Sequence, residues 1–196
     1  MTHTARILPV LILLCASLLT GCVSLVVGGV ATSFLIATDP RTTGSIIEDQ
    51  AIEIRAYRAL SNLQLGDCCH VNVTSYNQKL LLSGEIPTAE LRQRIEDEMR
   101  AVARVIKVYN ETQLASPSTT LSRSNDVLLT GKIKFKLNRI EGHPDFNVND
   151  IKIVTENGSV FVFGLITSGD AKIILDQIRR TEGAERVISL IEYQPG

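Results

Sequence analysis

Few side chains in this sequence have the types and spacing that covalent or acid–base chemistry requires. The 196 residues include three histidines, His3, His70 and His143, and four cysteines. The histidines belong to no His-Glu-x-x-His or zinc-ligand spacing and to no recognisable Ser/His/Asp set, and the glycines form no phosphate-binding loop. We therefore expect no catalytic residue, no metal site and no cofactor, and the chain is predicted not to be an enzyme.

Cys68 and Cys69 are adjacent, and this pair is the other candidate for chemistry. In an oxidising compartment, two neighbouring thiols could close a strained ring disulfide or cross-link two chains. Redox enzymes, however, space their cysteines as Cys-x-x-Cys. The simpler interpretation, which we favour, is that one side chain packs under the following hairpin while the other is exposed.

Cys22 ends an apolar N-terminal segment and directly follows Leu-Thr-Gly. Residues 1–21 have the layout of a secretory signal peptide, with a basic residue, Arg6, followed by an apolar run. The Leu-Thr-Gly-Cys sequence resembles the bacterial lipobox, in which the cysteine thiol is diacylated, the chain is cut before it and the new amine is acylated. Two or more acyl chains hold a protein stably on a bilayer. Cys22 is therefore the predicted lipid anchor.

The apolar sequence continues from Val23 to Ala31, so an uncleaved transmembrane helix in the inner membrane is the alternative. About 20 apolar residues span a bilayer, and length alone does not exclude this. The lipobox favours cleavage before Cys22. Lipoproteins retained in the inner membrane usually resemble a Cys-Asp pattern, whereas valine follows the cysteine here. The predicted location is the periplasmic face of the outer membrane.

The overall charge argues against nucleic acid as a partner. Lys and Arg total 20 and Asp and Glu total 21, which gives a formal net charge of −1. A general nucleic-acid binder needs a strongly basic face over much of its surface. The composition, with 44% hydrophobic residues, also excludes a disordered chain.

The sequence after the anchor contains one unit twice. Residues 73–86 align with residues 153–166, and each copy has the periodicity of a helix, two strands, a second helix and a final strand. We predict a lipidated segment and linker over 22–45, a first domain over 46–114, a linker over 115–123 and a second domain over 124–194. The identical positions in the aligned segments include Asn77 and Asn157, Gly84 and Gly164, and Ile86 and Ile166.

The repeated unit, with its Val-x-Val and Gly-x-Ile hairpin and a closing Val-Ile-x-Val strand, resembles the BON domain. Together with the lipobox and the Ala-Thr-Asp-Pro-Arg segment ending at Arg41, it resembles the dual-BON-domain outer-membrane lipoproteins of the DolP type. The resemblance implies an α+β fold class with two tandem αββαβ domains, each a small mixed sheet with two helices. It further implies enrichment at division sites and support for the outer-membrane protein assembly machinery.

The first helix of the second unit has an unusual predicted outer side. At about 100° per residue, Leu129, Ile133 and Leu137 cluster on the core side, and a different set lies opposite them. Apolar side chains framed by cations suit an anionic phospholipid surface such as one containing phosphatidylglycerol. This is the third helix in the predicted order and is labelled α3, so we call the set the α3 patch; it comprises Val127, Leu128, Gly131 and Phe135, flanked by Lys132, Lys134 and Arg139.

The first unit provides an internal comparison, because its matching residues, Gln50, Ala51, Ile54 and Arg58, are more polar. The resemblance likewise implies that the second domain binds anionic phospholipid through this helix. The family pattern has a tryptophan where this sequence has Val127, which weakens the expected anchoring. Two alternatives stay open: the α3 patch packs against the first domain, or it docks on an envelope protein in an adaptor.

Overall fold

The computed structural model describes residues 41–140 and 147–194. Residues Asp39–Gly196 form one compact unit. The predictions made for the signal peptide, for Cys22 and for His143 lie outside the described residues. Among the residues that are described, no helix is both long enough and apolar enough to cross a bilayer.

Each half of the described chain contains the predicted helix, hairpin, helix and closing strand, and a short extra strand follows in both. The α+β prediction is therefore confirmed. The first domain consists of α1 Thr43–Asn62, β1 His70–Tyr76, β2 Lys79–Ile86, α2 Ala89–Arg100, β3 Lys107–Asn110 and β4 Gln113–Leu114. The second consists of α3 Thr120–Leu137, β5 Ile151–Glu156, β6 Ser159–Ile166, α4 Ser168–Arg179, β7 Arg186–Ser189 and β8 Glu192–Tyr193.

Helix α3 begins earlier than the sequence predicts, inside the segment 115–123 that was expected to be linker. The Thr119 side chain accepts a 3.2 Å hydrogen bond from the Ser122 amide and caps the helix. Serine and threonine favour both loops and N-caps, because their hydroxyls bond to nearby backbone amides. The Ser- and Thr-rich composition here therefore marks the start of a helix.

In each domain, one long strand lies at the centre of a small mixed sheet. Strand β2 pairs antiparallel with β1 and parallel with β3 and β4, and β6 pairs in the same way with β5, β7 and β8. The hairpin turns lie at Asn77–Gln78 and Asn157–Gly158. All four of these turn residues have positive φ, which a tight hairpin turn requires.

One face of each sheet packs against the two helices of its own domain. In the first domain the core side of α1 contributes Ile52, Ala56 and Leu60, as its spacing predicts. In the second domain α3 contributes Leu129, Ile133 and Leu137. Both helices therefore present their opposite sides away from their own sheet.

The other faces of the two sheets pack on each other and join the domains. Leu81 of β2 and Phe161 and Phe163 of β6 are buried there, and the Tyr76 and Phe163 rings stack with centroids 5.5 Å apart. Strands covered on both faces have continuous apolar runs instead of alternating ones. This explains Leu80-Leu81-Leu82 and the run from Val160 to Phe163. The result is a helix–sheet–sheet–helix arrangement.

Candidate functional site

The α3 patch lies on the outward side of its helix, as the periodicity predicts. The exposed fractions are 72% for Val127, 64% for Leu128 and 58% for Phe135. Gly131 lies between them, and a Cβ at this position would meet no atom within 4 Å. The side chains do not pack against the first domain, because the domains join through the sheet faces on the other side. Among the described residues, this patch is unpartnered.

Buried polar contacts fix the orientation of α3, and they therefore determine which side of the helix is exposed. The buried Asp126 carboxylate accepts hydrogen bonds from the Asn157 amide at 2.8 Å and the Gly158 amide at 3.0 Å, at the turn between β5 and β6. One turn further along, the Thr130 hydroxyl bonds to the Thr155 hydroxyl at 2.8 Å. These contacts and the buried leucine and isoleucine side chains prevent rotation of the helix about its axis.

Asp49 has the same place in the first domain as Asp126 in the second. Its carboxylate accepts hydrogen bonds from the Asn77 and Gln78 amides, both at 2.8 Å, and from the Ser75 hydroxyl at 2.7 Å. An acid in the core-facing row of an amphipathic helix is costly unless it is fully bonded. In both domains, therefore, a buried aspartate hydrogen-bonds the first helix to the hairpin turn.

The cations of the α3 patch are exposed around its apolar centre. Lys132, Lys134 and Arg139 are solvent-accessible, and none of them forms an ion pair with another described residue. The Arg139 guanidinium lies 4.1 Å from the centroid of the Phe135 ring, a cation–π contact that holds the two side chains together. An aromatic ring and a cation are therefore presented side by side at the C-terminal end of α3.

Two further residues extend the α3 patch beyond what the sequence predicts. Leu121 is 72% exposed and lies one heptad before Leu128 on the same side of α3, and Arg123 is exposed in the same turn. Both fall within the segment 115–123, which the sequence predicts to be linker. The i, i+7 spacing between Leu121 and Leu128 is the sequence signal that identifies Leu121.

The comparison with the first domain differs from the prediction in one respect. Helix α1 also exposes apolar side chains, Ile47, Ile54 and Tyr57, so its outer side is less polar than expected. The two helices differ chiefly in charge. Helix α1 has three acidic and two basic residues, a net of −1, whereas α3 has one acidic and four basic residues, a net of +3. The single acid of α3 is the buried Asp126.

A groove of about 380 Å³ borders the α3 patch on one side. Leu128 and Lys132 line it together with Glu182 and Glu185 from the loop after α4. The acidic side chains reduce the positive potential near Lys132. Lys134 and Arg139 lie outside this groove, and the most basic part of the patch is therefore the part around Phe135.

The remaining candidates that the structure describes are His70 and the pair Cys68 and Cys69. His70 begins β1, and its Nε2 lies 3.8 Å from a carboxylate oxygen of Glu156 in the second domain. Cys69 is half-buried against the first-domain core while Cys68 is exposed, the arrangement that the simpler interpretation predicts. Within residues 41–140 and 147–194, no cluster of His, Cys, Asp and Glu has the composition of a metal site.

The family model for the BON domain matches residues 49–116 and 125–195. The chain is 34% identical over 176 residues to the outer membrane lipoprotein DolP of Haemophilus influenzae, covering 89% of this chain and 90% of that one. It is 30% identical over 156 residues to a 21 kDa hemolysin of Actinobacillus pleuropneumoniae, covering 79% of each.

Among solved structures, the type III secretion protein CdsD of Chlamydia trachomatis matches 73% of this chain and 92% of its own. The sequence identity is 10% and the TM-score is 0.31. A similarity at this level supports no conclusion about the fold or the function.

Proposed function

The chain belongs to the BON-domain family, as a dual-BON protein of the DolP type of outer-membrane lipoprotein, and from this premise we propose that its second domain binds anionic phospholipid through the α3 patch. Cys22 would anchor the chain to the periplasmic face of the outer membrane. The role is non-enzymatic and supports the integrity of the envelope, at division sites in particular. The observation that carries the proposal is the pairing of exposed apolar side chains with exposed cations on a helix held in one orientation.

The apolar residues of the patch supply the first part of the binding energy. Fully burying a valine, leucine or phenylalanine side chain contributes about 1.5–3 kcal/mol, and shallow insertion contributes a fraction of this. Val127 and Leu128 project from one turn of α3 and Phe135 projects from the same side about two turns later, so they can enter the interface together. An apolar side that is already exposed in the folded protein needs no rearrangement before binding.

The cations supply the second part and give the selectivity for anionic lipid. A basic residue close to an anionic membrane contributes about 1 kcal/mol. Lys134, Arg139 and Arg123 are exposed, and α3 has no exposed acid to oppose them. The binding is therefore expected to require a negatively charged headgroup and to weaken with salt, because the Debye length falls from about 10 Å at 0.1 M salt to about 3 Å at 1 M.

A weak contact of this kind is sufficient for a tethered protein. The acyl chains on Cys22 would keep the second domain at a high effective concentration next to the bilayer. The anchor supplies attachment, and the α3 patch supplies recognition of the lipid composition. These two contributions can be separated by experiment.

The test uses the unit Asp39–Gly196, which lacks the anchor, and co-sedimentation with vesicles. One set of vesicles contains phosphatidylglycerol and the other is purely zwitterionic, each at low and at moderate salt. Selective binding to the phosphatidylglycerol vesicles, reduced by salt, is the expected result. An absence of binding to both sets would overturn the proposal and leave Cys22 as the attachment.

The repeat provides a matched control for this experiment. Phe135 of α3 and Ile54 of α1 are 58% and 53% exposed, so replacing either by serine removes a similar exposed apolar side chain. We expect Phe135→Ser to reduce vesicle binding and Ile54→Ser to leave it unchanged. Equal losses in the two variants would show that the binding does not depend on the α3 patch.

The second candidate function is a protein-interaction adaptor of the envelope assembly machinery. The exposed apolar side chains on α1, together with the acidic groove beside Leu128, favour it. An adaptor of this kind would retain a protein partner and show no preference among vesicles. The same sedimentation experiment therefore distinguishes the two functions.

A further inference from the structure

We propose that Cys68 and Cys69 form a reversible dithiol–disulfide pair, a modification site distinct from the α3 patch. The two Sγ atoms lie 3.1 Å apart, at the end of the short turn Gly66–Cys68 and the start of β1. Both thiols are free, and Cys68 is exposed to solvent. A disulfide oxidant can therefore reach one sulfur while the second lies in position to complete the exchange.

The two thiols differ in their surroundings, and this difference assigns their roles. Cys69 is half-buried against the first-domain core, whereas Cys68 is exposed. Burial, followed by the hydrogen bond and the charge of Cys68, raises the pKa of the Cys69 thiol to about 12. Cys69 therefore keeps its proton at neutral pH. Cys68 is the first nucleophile, because it is the exposed thiol that a disulfide in solution can reach.

The reaction is thiol–disulfide exchange with a small-molecule or protein disulfide, RSSR. The Cys68 thiolate attacks one sulfur of RSSR, which forms a mixed disulfide and releases RS⁻. Cys69 then gives up its proton, and its thiolate attacks Cys68 Sγ, which forms the Cys68–Cys69 disulfide and releases the second RS⁻. The two protons given up by Cys68 and Cys69 convert the two RS⁻ into RSH. The protein dithiol loses two electrons and two protons, and RSSR is reduced to two RSH.

The spacing of adjacent residues makes the product easy to reduce. Consecutive Cα atoms across a trans peptide are about 3.8 Å apart, whereas disulfide-bonded residues usually have Cα atoms about 4.4–6.8 Å apart. A bond between Cys68 and Cys69 is therefore strained. Strained and exposed disulfides are the labile ones, in contrast to the structural disulfides of secreted proteins. The pair thus suits reversible oxidation.

The first test follows the mass of one peptide of the full chain. Tryptic cleavage after Arg58 and Lys79 places both cysteines on peptide 59–79, separate from Cys15 and Cys22. The full chain in detergent is incubated with oxidised glutathione, alkylated and digested. We expect a peptide lighter than the dithiol by two hydrogen atoms, which reverts with reduced glutathione. Retention of two alkylated thiols, or a cross-link to a second copy, would overturn the proposal.

The second test probes the proximity of the two sulfur atoms without any oxidant. Phenylarsine oxide, a trivalent arsenical, bridges two sulfurs that lie close together and should protect both thiols of the wild-type chain from alkylation. The single variants Cys68→Ser and Cys69→Ser serve as matched controls, since each keeps one thiol and changes little volume. Protection should be lost in both. Wild-type thiols that alkylate at the same rate with and without the arsenical would contradict the proposed pair.

Discussion

The side-chain amide of Asn72 donates a 2.6 Å hydrogen bond to the Glu156 carboxylate, and this bond joins the first domain to the second. Glu156 is buried, and its other carboxylate oxygen lies 3.8 Å from the His70 imidazole. Burial has the largest effect and raises the pKa of Glu156, and the Asn72 hydrogen bond partly opposes it. Protonation of this one carboxyl group is therefore linked to the packing of the two domains.

Replacing Glu156 by glutamine is expected to flatten the dependence of stability on pH. The pKa of Glu156 is higher in the folded chain than in the unfolded one, where 4.5 is the ordinary value. The folded state then binds the proton more tightly, so stability from this group is fully present below the unfolded value and is lost as pH rises through the folded value.

Urea unfolding at pH 7 and at pH 5 provides the measurement. The stability of the wild-type chain relative to the Glu156→Gln variant should increase toward pH 5. The nearby carboxylates of Glu85 and Asp126 raise the pKa of Glu156 further. An unchanged difference between the two chains at the two pH values would contradict the linkage.

Replacing Asp126 by alanine tests whether its hydrogen bonds to the β5–β6 turn position the α3 patch. The change leaves the Asn157 and Gly158 amides without their acceptor, and the expected loss of folding stability is about 1–3 kcal/mol per unsatisfied group. Vesicle binding should fall as well, because α3 is no longer held in one orientation. Asp49→Ala is the matched control, expected to lower stability while sparing vesicle binding.

Replacing Phe163 by alanine tests the packing between the two sheets. Phe163 is fully buried and stacks on Tyr76, and truncating a buried phenylalanine costs about 3–5 kcal/mol. The helices pack on the opposite faces of the sheets, so helical circular dichroism in the absence of urea should be retained. A urea midpoint equal to that of the wild-type chain would show that the sheet–sheet contact contributes little to stability.

Replacing Val127 by tryptophan is expected to strengthen binding to phosphatidylglycerol vesicles. Val127 is largely exposed, so the larger side chain meets no steric obstacle among the described residues. Indole rings favour the headgroup region because they combine a large apolar surface with one hydrogen-bond donor. Tryptophan fluorescence reports the insertion directly, since the wild-type chain contains no tryptophan. Emission that does not shift on adding vesicles would place this residue outside the membrane contact.

The parts of the fold that follow from local sequence could be predicted, whereas the long-range contacts could not. The hairpin turns at Asn77 and Asn157 depend on a few neighbouring residues, and the stripe of Leu129, Ile133 and Leu137 depends on one helical period. The contact of Asn72 with Glu156 joins residues 84 apart in sequence, and nothing in the local pattern marks either of them. The start of α3 does not follow from the sequence, because a Ser- and Thr-rich segment is typical of both a helix cap and a loop.

The face-to-face packing of the two sheets has a consequence for how this protein can be divided. Either domain alone would expose Leu81 and Tyr76, or Phe161 and Phe163, on an otherwise complete sheet. Each half has the surface of a subunit whose partner is missing, and an isolated half is expected to self-associate. The tandem chain is thus the covalent counterpart of a homodimer. Because the two halves are covalently linked, their outer helices can differ, with a net charge of −1 on α1 and +3 on α3.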